Sequence, residues 1–160
     1  MFSNFIFSNL NVIEVAVWVI FFFVVAVRYL RPLWVKNISY SWLVGIAIGF
    51  HFLYGIVATC GQYVVWSKSE FTKVFLSSPL TNEVSFPAYL EFLRPLFDGT
   101  NGYFAFYSFQ HFFLSTIALL IVVGLFLLFL IARSRTHPIN FVEGDIMLIV
   151  LAMLISGWSG

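Results

Sequence analysis

Charge is what this sequence has least of. Asp, Glu, Lys and Arg make up 9% of its 160 residues, against about a quarter in an ordinary soluble domain. So little polar surface cannot cover a soluble globule, and 61% hydrophobic residues with 21 Phe leave polytopic membrane protein as the class that fits. The charges nearly cancel, to a net +1, which excludes a nucleic-acid surface and strong steering of charged partners. Cysteine is nearly absent too. Cys60 stands alone inside an apolar run, so no intramolecular disulfide is possible and the redox compartment stays open. No Lys or Arg precedes Arg28, so the basic opening of a secretory signal peptide is not expected. No repeat and no low-complexity tract is evident, and residues 1–160 read as a single membrane domain.

What is present is long apolar runs. The clearest covers Phe112 to Ile131, which carries no charge and only Ser115, Thr116 and Gly124 as mild interruptions. At about 1.5 Å of rise per residue, about twenty such residues cross the roughly 30 Å hydrocarbon core. An aromatic stretch, Tyr103 to His111, precedes it, and if the two form one helix it must tilt or protrude. Taken together the runs predict an all-α integral membrane protein with four transmembrane helices at about 12–30, 42–66, 104–132 and 139–158. Asn11 and Glu14 read as a capping pair opening the first span, and Pro32 stops it. Trp42, Tyr63 and Trp66 are expected interfacial anchors of the second. Gly45 and Gly49 form a small-xxx-small pair, the spacing that lets another helix backbone approach closely. The fourth span is long enough only if it starts near Pro138, since the purely apolar part from Ile146 is too short.

The one long connection, 67–102 between spans two and three, contains two amphipathic pieces. Phe71, Val74 and Phe75 fall at helical spacing, and Phe86, Leu90 and Leu93 share a face that Pro95 is expected to end. One or two short interfacial helices are expected there, on the bilayer surface or against a partner subunit. The cations fix orientation. Arg28, Arg31 and Lys36 in the first connection and Arg133 and Arg135 in the third belong on the cytoplasmic or matrix side. Both termini and the long loop then lie on the opposite side of a cell or organelle inner membrane.

Few residues carry candidate chemistry. Glu14 is either an intramembrane proton or ion site or, so near the start of its helix, an interfacial residue. His51 in span two and His111 at the head of span three could together hold a haem. Counting depth from Phe112, however, places them some 15 Å apart across the membrane. No other cofactor and no metal is predicted. Glu143 and Asp145 open the last helix, where acids suit the positive helix end. The segment Val142-Glu143-Gly144-Asp145-Ile146-Met147-Leu148 resembles the Gly-x-Gly-Asp segment of prepilin peptidases and presenilin-type intramembrane aspartyl proteases, with Val142 in place of the first Gly. That resemblance implies Asp145 as one of two catalytic Asp residues, but the only other Asp, Asp98, lies in the loop on the opposite side. Gly157-Trp158-Ser159-Gly160 is similar to the Gly-x-Ser-Gly of rhomboid proteases, yet no His follows the Ser. The balance favours a non-catalytic, multi-pass structural or assembly subunit of a larger membrane complex, whose partners are lipids and other membrane subunits. An Asp145 peptidase and a haem-bearing electron carrier are the alternatives.

Overall fold

In the computed structural model, residues 9–34, 37–81, 84, 86–136 and 144–157 are described. They are all-helical, with no strand among them. Three helices are long and apolar enough to cross a membrane: α1 (Leu10–Leu30), α2 (Tyr40–Ser67) and α4 (Gly102–Thr136). Between α2 and α4 lie the short α3 (Glu70–Leu76) and a 3-10 helix (Ala88–Phe97), and α5 (Asp145–Ser156) follows.

The helix ends show where local sequence rules held and where they did not. α1 begins two residues before the expected start. Asn9 takes the N-cap position without a side-chain bond, so Asn11 and Glu14 lie inside the helix and form no capping pair. Asn11 instead accepts a hydrogen bond from the Tyr54 hydroxyl at 3.2 Å. Pro32 does end α1, and Arg28 ties the turn beyond it: Nε donates to the Ile38 carbonyl (2.8 Å) and Nη1 to that of Pro32 (3.3 Å). Ser39 caps α2, its Oγ accepting from the Trp42 N–H at 3.1 Å. Pro95 does not end its helix, which continues to Phe97. A 3-10 helix has i→i+3 bonds and a narrower bore, so one missing N–H near its last turn is tolerated.

Tyr103 to Ile131 belongs to one continuous helix. α4 has 35 residues, or about 52 Å at 1.5 Å per residue. Phe109–Phe113 is wound as a π-helix, the rare one-turn widening that puts an extra residue into an α-helix. His111 therefore sits inside a helix rather than at its head.

The residues group into two compact units, Met1–Tyr54 with Thr116–Gly160, and Gly55–Ser115. In the first, Trp18 and Val25 of α1, Leu43 and Ala47 of α2, Val123 of α4 and Val150, Leu151 and Leu154 of α5 form one buried cluster. The α4 stripe is heptadic, with Thr116, Val123 and Leu130 buried at i, i+7 and i+14. In a lipid solvent such a cluster is held by close packing and not by withdrawal from water. The second unit is aromatic. Trp66 packs against Phe75, Tyr103, Phe104 and Tyr107 at centroid distances of 4.8–6.4 Å. Phe97 and Phe86 meet Phe106 at 5.6 and 4.7 Å. The aromatic stretch that opens α4 thus forms the core on which α3 and the 3-10 helix rest. Gly102 makes that approach possible, since a Cβ there would overlap the Phe97 carbonyl.

Candidate functional site: buried Glu14 and His51

The buried face of α2 in the first unit runs Leu43, Ala47, His51, residues four apart, so His51 is turned inward by the register that buries the other two. It is 7% exposed. Its Nε2 lies 3.2 Å from the carbonyl oxygen of Leu154. A carbonyl only accepts, so Nε2 carries the proton and, in the neutral ring, Nδ1 is the free acceptor. Leu154 is in the last turn of α5, where helix carbonyls run out of helical N–H donors. His51 supplies one from the side.

Glu14 arrives by the same logic on α1. Glu14, Trp18 and Val25 are its buried residues, at i, i+4 and i+11. Glu14 is 6% exposed and Trp18 3%. Glu14 is therefore enclosed by neighbouring side chains of the first unit. Asn11, one turn before it on α1, accepts the hydrogen bond from the Tyr54 hydroxyl of α2. Trp18 lies against the imidazole, with ring centroids 4.7 Å apart. Its indole N–H is fully buried without a hydrogen-bond partner among the described residues. Phe21 and Phe50 close the apolar wall at 5.9 and 5.2 Å from the Trp18 ring. Glu14 and His51 are thus buried polar side chains of the first unit, and the Tyr54 hydroxyl donates to the exposed Asn11.

His111, Asp145 and Asp98 are the other candidate residues. His111 belongs to the second unit, where Nδ1 donates to the Tyr107 carbonyl one turn back (2.9 Å) and the ring stacks on Tyr107 at 4.0 Å. Asp145 is half-buried in the first turn of α5. Asp98 is exposed at the end of the 3-10 helix, in the second unit. Glu143 and the Trp158–Gly160 part of the rhomboid-like tetrapeptide lie outside the described residues. No group of three or more His, Cys, Asp or Glu able to hold a metal occurs among the described residues.

Gly45 and Gly49 are both exposed, and a Cβ at either would meet nothing within 4 Å. Packing within the chain uses the opposite choice of small residues on α2. Ala47 is buried in the first unit, and Gly55, Ala58 and Gly61 in the second. A Cβ on Gly55 would stand 2.9 Å from the Phe113 ring and 3.1 Å from the Phe112 carbonyl. Glycine spacing alone could not distinguish the two faces; the stripe Leu43–Ala47–His51 could have done so.

Compared with known proteins, the chain matches no family model, no curated protein and no solved structure.

Proposed function

We propose that the chain is a non-catalytic, multi-pass subunit of a larger membrane complex. α1, α2 and α4 are three of its spans. The fourth, over 139–158, contains α5, whose 12 residues rise about 18 Å; residues 139–143 and 158 of that span lie outside the described residues. The loop 67–102 lies along the membrane surface, with Phe71, Val74, Tyr89, Phe92 and Leu96 exposed toward the interface. By the positive-inside rule Arg28, Arg31, Arg133 and Arg135 face the cytoplasm or matrix, and both termini face the other side.

The observation that carries the subunit reading is the open Gly45–Gly49 face of α2. Both glycines, with Trp42, Ile46, Phe52 and Leu53 around them, are exposed, and among the described residues nothing covers them. Small residues four apart on an otherwise bulky apolar helix form the groove that a second helix backbone occupies. The occupant proposed is a transmembrane helix of a different subunit. Nothing in the arrangement favours the peptidase or haem alternatives. The first unit holds a single Asp among its described residues, and the Nε2 of His51 is engaged by a carbonyl.

Purification from native membranes in mild detergent, with mass spectrometry of the intact assembly, tests this. Stoichiometric partner subunits are expected, and Gly49→Ile should release them while the chain keeps its helical content, since the added side chain meets open space. A preparation that is purely monomeric or homo-oligomeric overturns the proposal.

A further inference from the structure

We propose that the end of the first unit where α1 stops and α2 begins holds an anionic phospholipid, its phosphate received by Arg31 and Trp34 on the connecting turn.

The helix directions gather the cations of this unit. α1 and α2 run antiparallel: Asn11 is bonded by Tyr54, Trp18 packs on Phe50, and Arg28 stacks over Tyr40. α5 runs parallel to α2, since a Cβ on Gly144 would stand 3.1 Å from the Tyr40 ring while Leu154 meets His51. α4 runs back along α5. A Cβ on Gly157 would overlap the Leu119 side chain, and from there Val123 and Leu127 follow the buried cluster that holds Leu43 and Val150. Arg28, Arg31, Arg133 and Arg135 therefore all lie at the Tyr40 end of the unit. α1 and α4 end there and α2 and α5 begin there, so the helix dipoles oppose one another and the side chains set the charge. The segments 28–40 and 133–145, which join these helix ends, carry five cations against two acids, a net +3 with His137 neutral.

The turn makes one of these cations a receptor. Arg28 ties its backbone at the Ile38 and Pro32 carbonyls, and the Trp34 N–H donates to the Arg31 carbonyl at 3.0 Å. The Arg31 guanidinium lies 6.0 Å from the centre of the Trp34 ring. Arg31, Arg133 and Arg135 form no ion pair with a described residue, whereas Lys73 and Arg94 of the second unit pair with Glu70 and Glu91. A guanidinium fork matches two oxygens of a phosphate, and an indole N–H is a further donor. Because the turn is already tied, little order has to be gained on binding.

The surroundings of Arg31 select a lipid over a soluble phosphate ester. Leu33 and Trp34 are 84% and 78% exposed, and Tyr29 and Leu30 beside them on the last turn of α1 are exposed as well. These side chains offer acyl chains a surface next to the cation, with the tryptophan at headgroup depth. A headgroup with net negative charge is favoured over a zwitterionic one, whose own cation would be returned to a surface that is already positive. The inference needs the chain to be embedded in a bilayer and does not need it to be a subunit of a complex.

The test is native mass spectrometry of the full chain, purified in mild detergent and given phosphatidylglycerol and phosphatidylcholine of identical acyl chains in equal amounts. Preferential retention of phosphatidylglycerol is expected, and it should weaken as salt is raised. Arg31→Gln should narrow the preference by about fivefold, the effect of about one surface cation on an anionic lipid, and combining it with Arg133→Gln and Arg135→Gln should erase it. Lys73→Gln, in the second unit, should leave it unchanged. Equal retention of the two lipids by the unsubstituted chain overturns the proposal whether or not any variant folds. So does displacement of phosphatidylglycerol by the same concentration of soluble glycerol phosphate. An acidic partner protein that is lost in Arg31→Gln while the lipid preference stays overturns it too.

Discussion

Replacing His51 by Leu is the perturbation that reaches most of the first unit at once. It removes the donor to the Leu154 carbonyl at 3.2 Å and the imidazole that lies 4.7 Å from the Trp18 ring. Leucine has similar bulk, so the packing against Trp18 is largely kept and the cost is polar. Side-chain hydrogen bonds in membrane bundles average about 0.6 kcal/mol, with a maximum near 1.7. A buried polar group left without its partner costs about 1–3 kcal/mol. The expected loss is about 1–2 kcal/mol, or roughly 5–30-fold in the folding equilibrium. Titration of the protein in mixed micelles with denaturing detergent, followed by circular dichroism, reads this as a lower midpoint at unchanged slope. His51→Gln is the critical companion, because its amide can donate to Leu154 and should recover most of the loss. If Glu14 and His51 are coupled, the double variant Glu14→Gln with His51→Leu should lose less than the sum of the single variants, by about 0.5 kcal/mol or more. His51→Leu unfolding together with the unsubstituted protein would refute the reasoning. So would His51→Gln being as unstable as His51→Leu.

Two further substitutions probe the connections. Arg28→Ala removes two bonds to backbone carbonyls and the stack over Tyr40 at 5.4 Å; a loss of about 1–2 kcal/mol is expected in the same titration. Arg28→Lys should recover little of it, because a point charge does not span two carbonyls as a guanidinium does. Gly102→Ala sets a Cβ onto the Phe97 carbonyl and 3.0 Å from the Leu80 nitrogen, an overpacking worth about 1–3 kcal/mol. Gly124→Ala, with nothing within 4 Å, should be neutral or stabilising by up to about 1 kcal/mol; equal behaviour of the two would contradict the close approach at Gly102.

The physical reason that much of this chain is legible as sequence lies in the lengths of its apolar runs. A run of about twenty apolar residues has few stable alternatives to a helix in lipid, because every backbone N–H and C=O must be satisfied within the segment. So α1, α2 and α4 follow from the sequence, as do Pro32 as a stop and the inward turn of Leu90 and Leu93. The start of α1, the 3-10 winding through Pro95 and the π-helix at Phe109–Phe113 do not follow. Each is a choice between backbone geometries separated by one hydrogen bond, which the length of an apolar run does not determine.

The candidate site divides the same way. The sequence alone supplied Glu14, His51, His111 and Asp145 as polar residues in an apolar chain, and it could rank them only by counting along the helix. Distance along a helix gives depth but says nothing of rotation, and rotation is what matters here. α1 turns Glu14 and Trp18 inward, α2 turns His51 inward on the Leu43–Ala47 stripe, and α5 brings the end of its last turn to His51. Glu14 and His51, thirty-seven positions apart, are thereby both buried in the first unit. The packing of three helices, each burying one face, decided that.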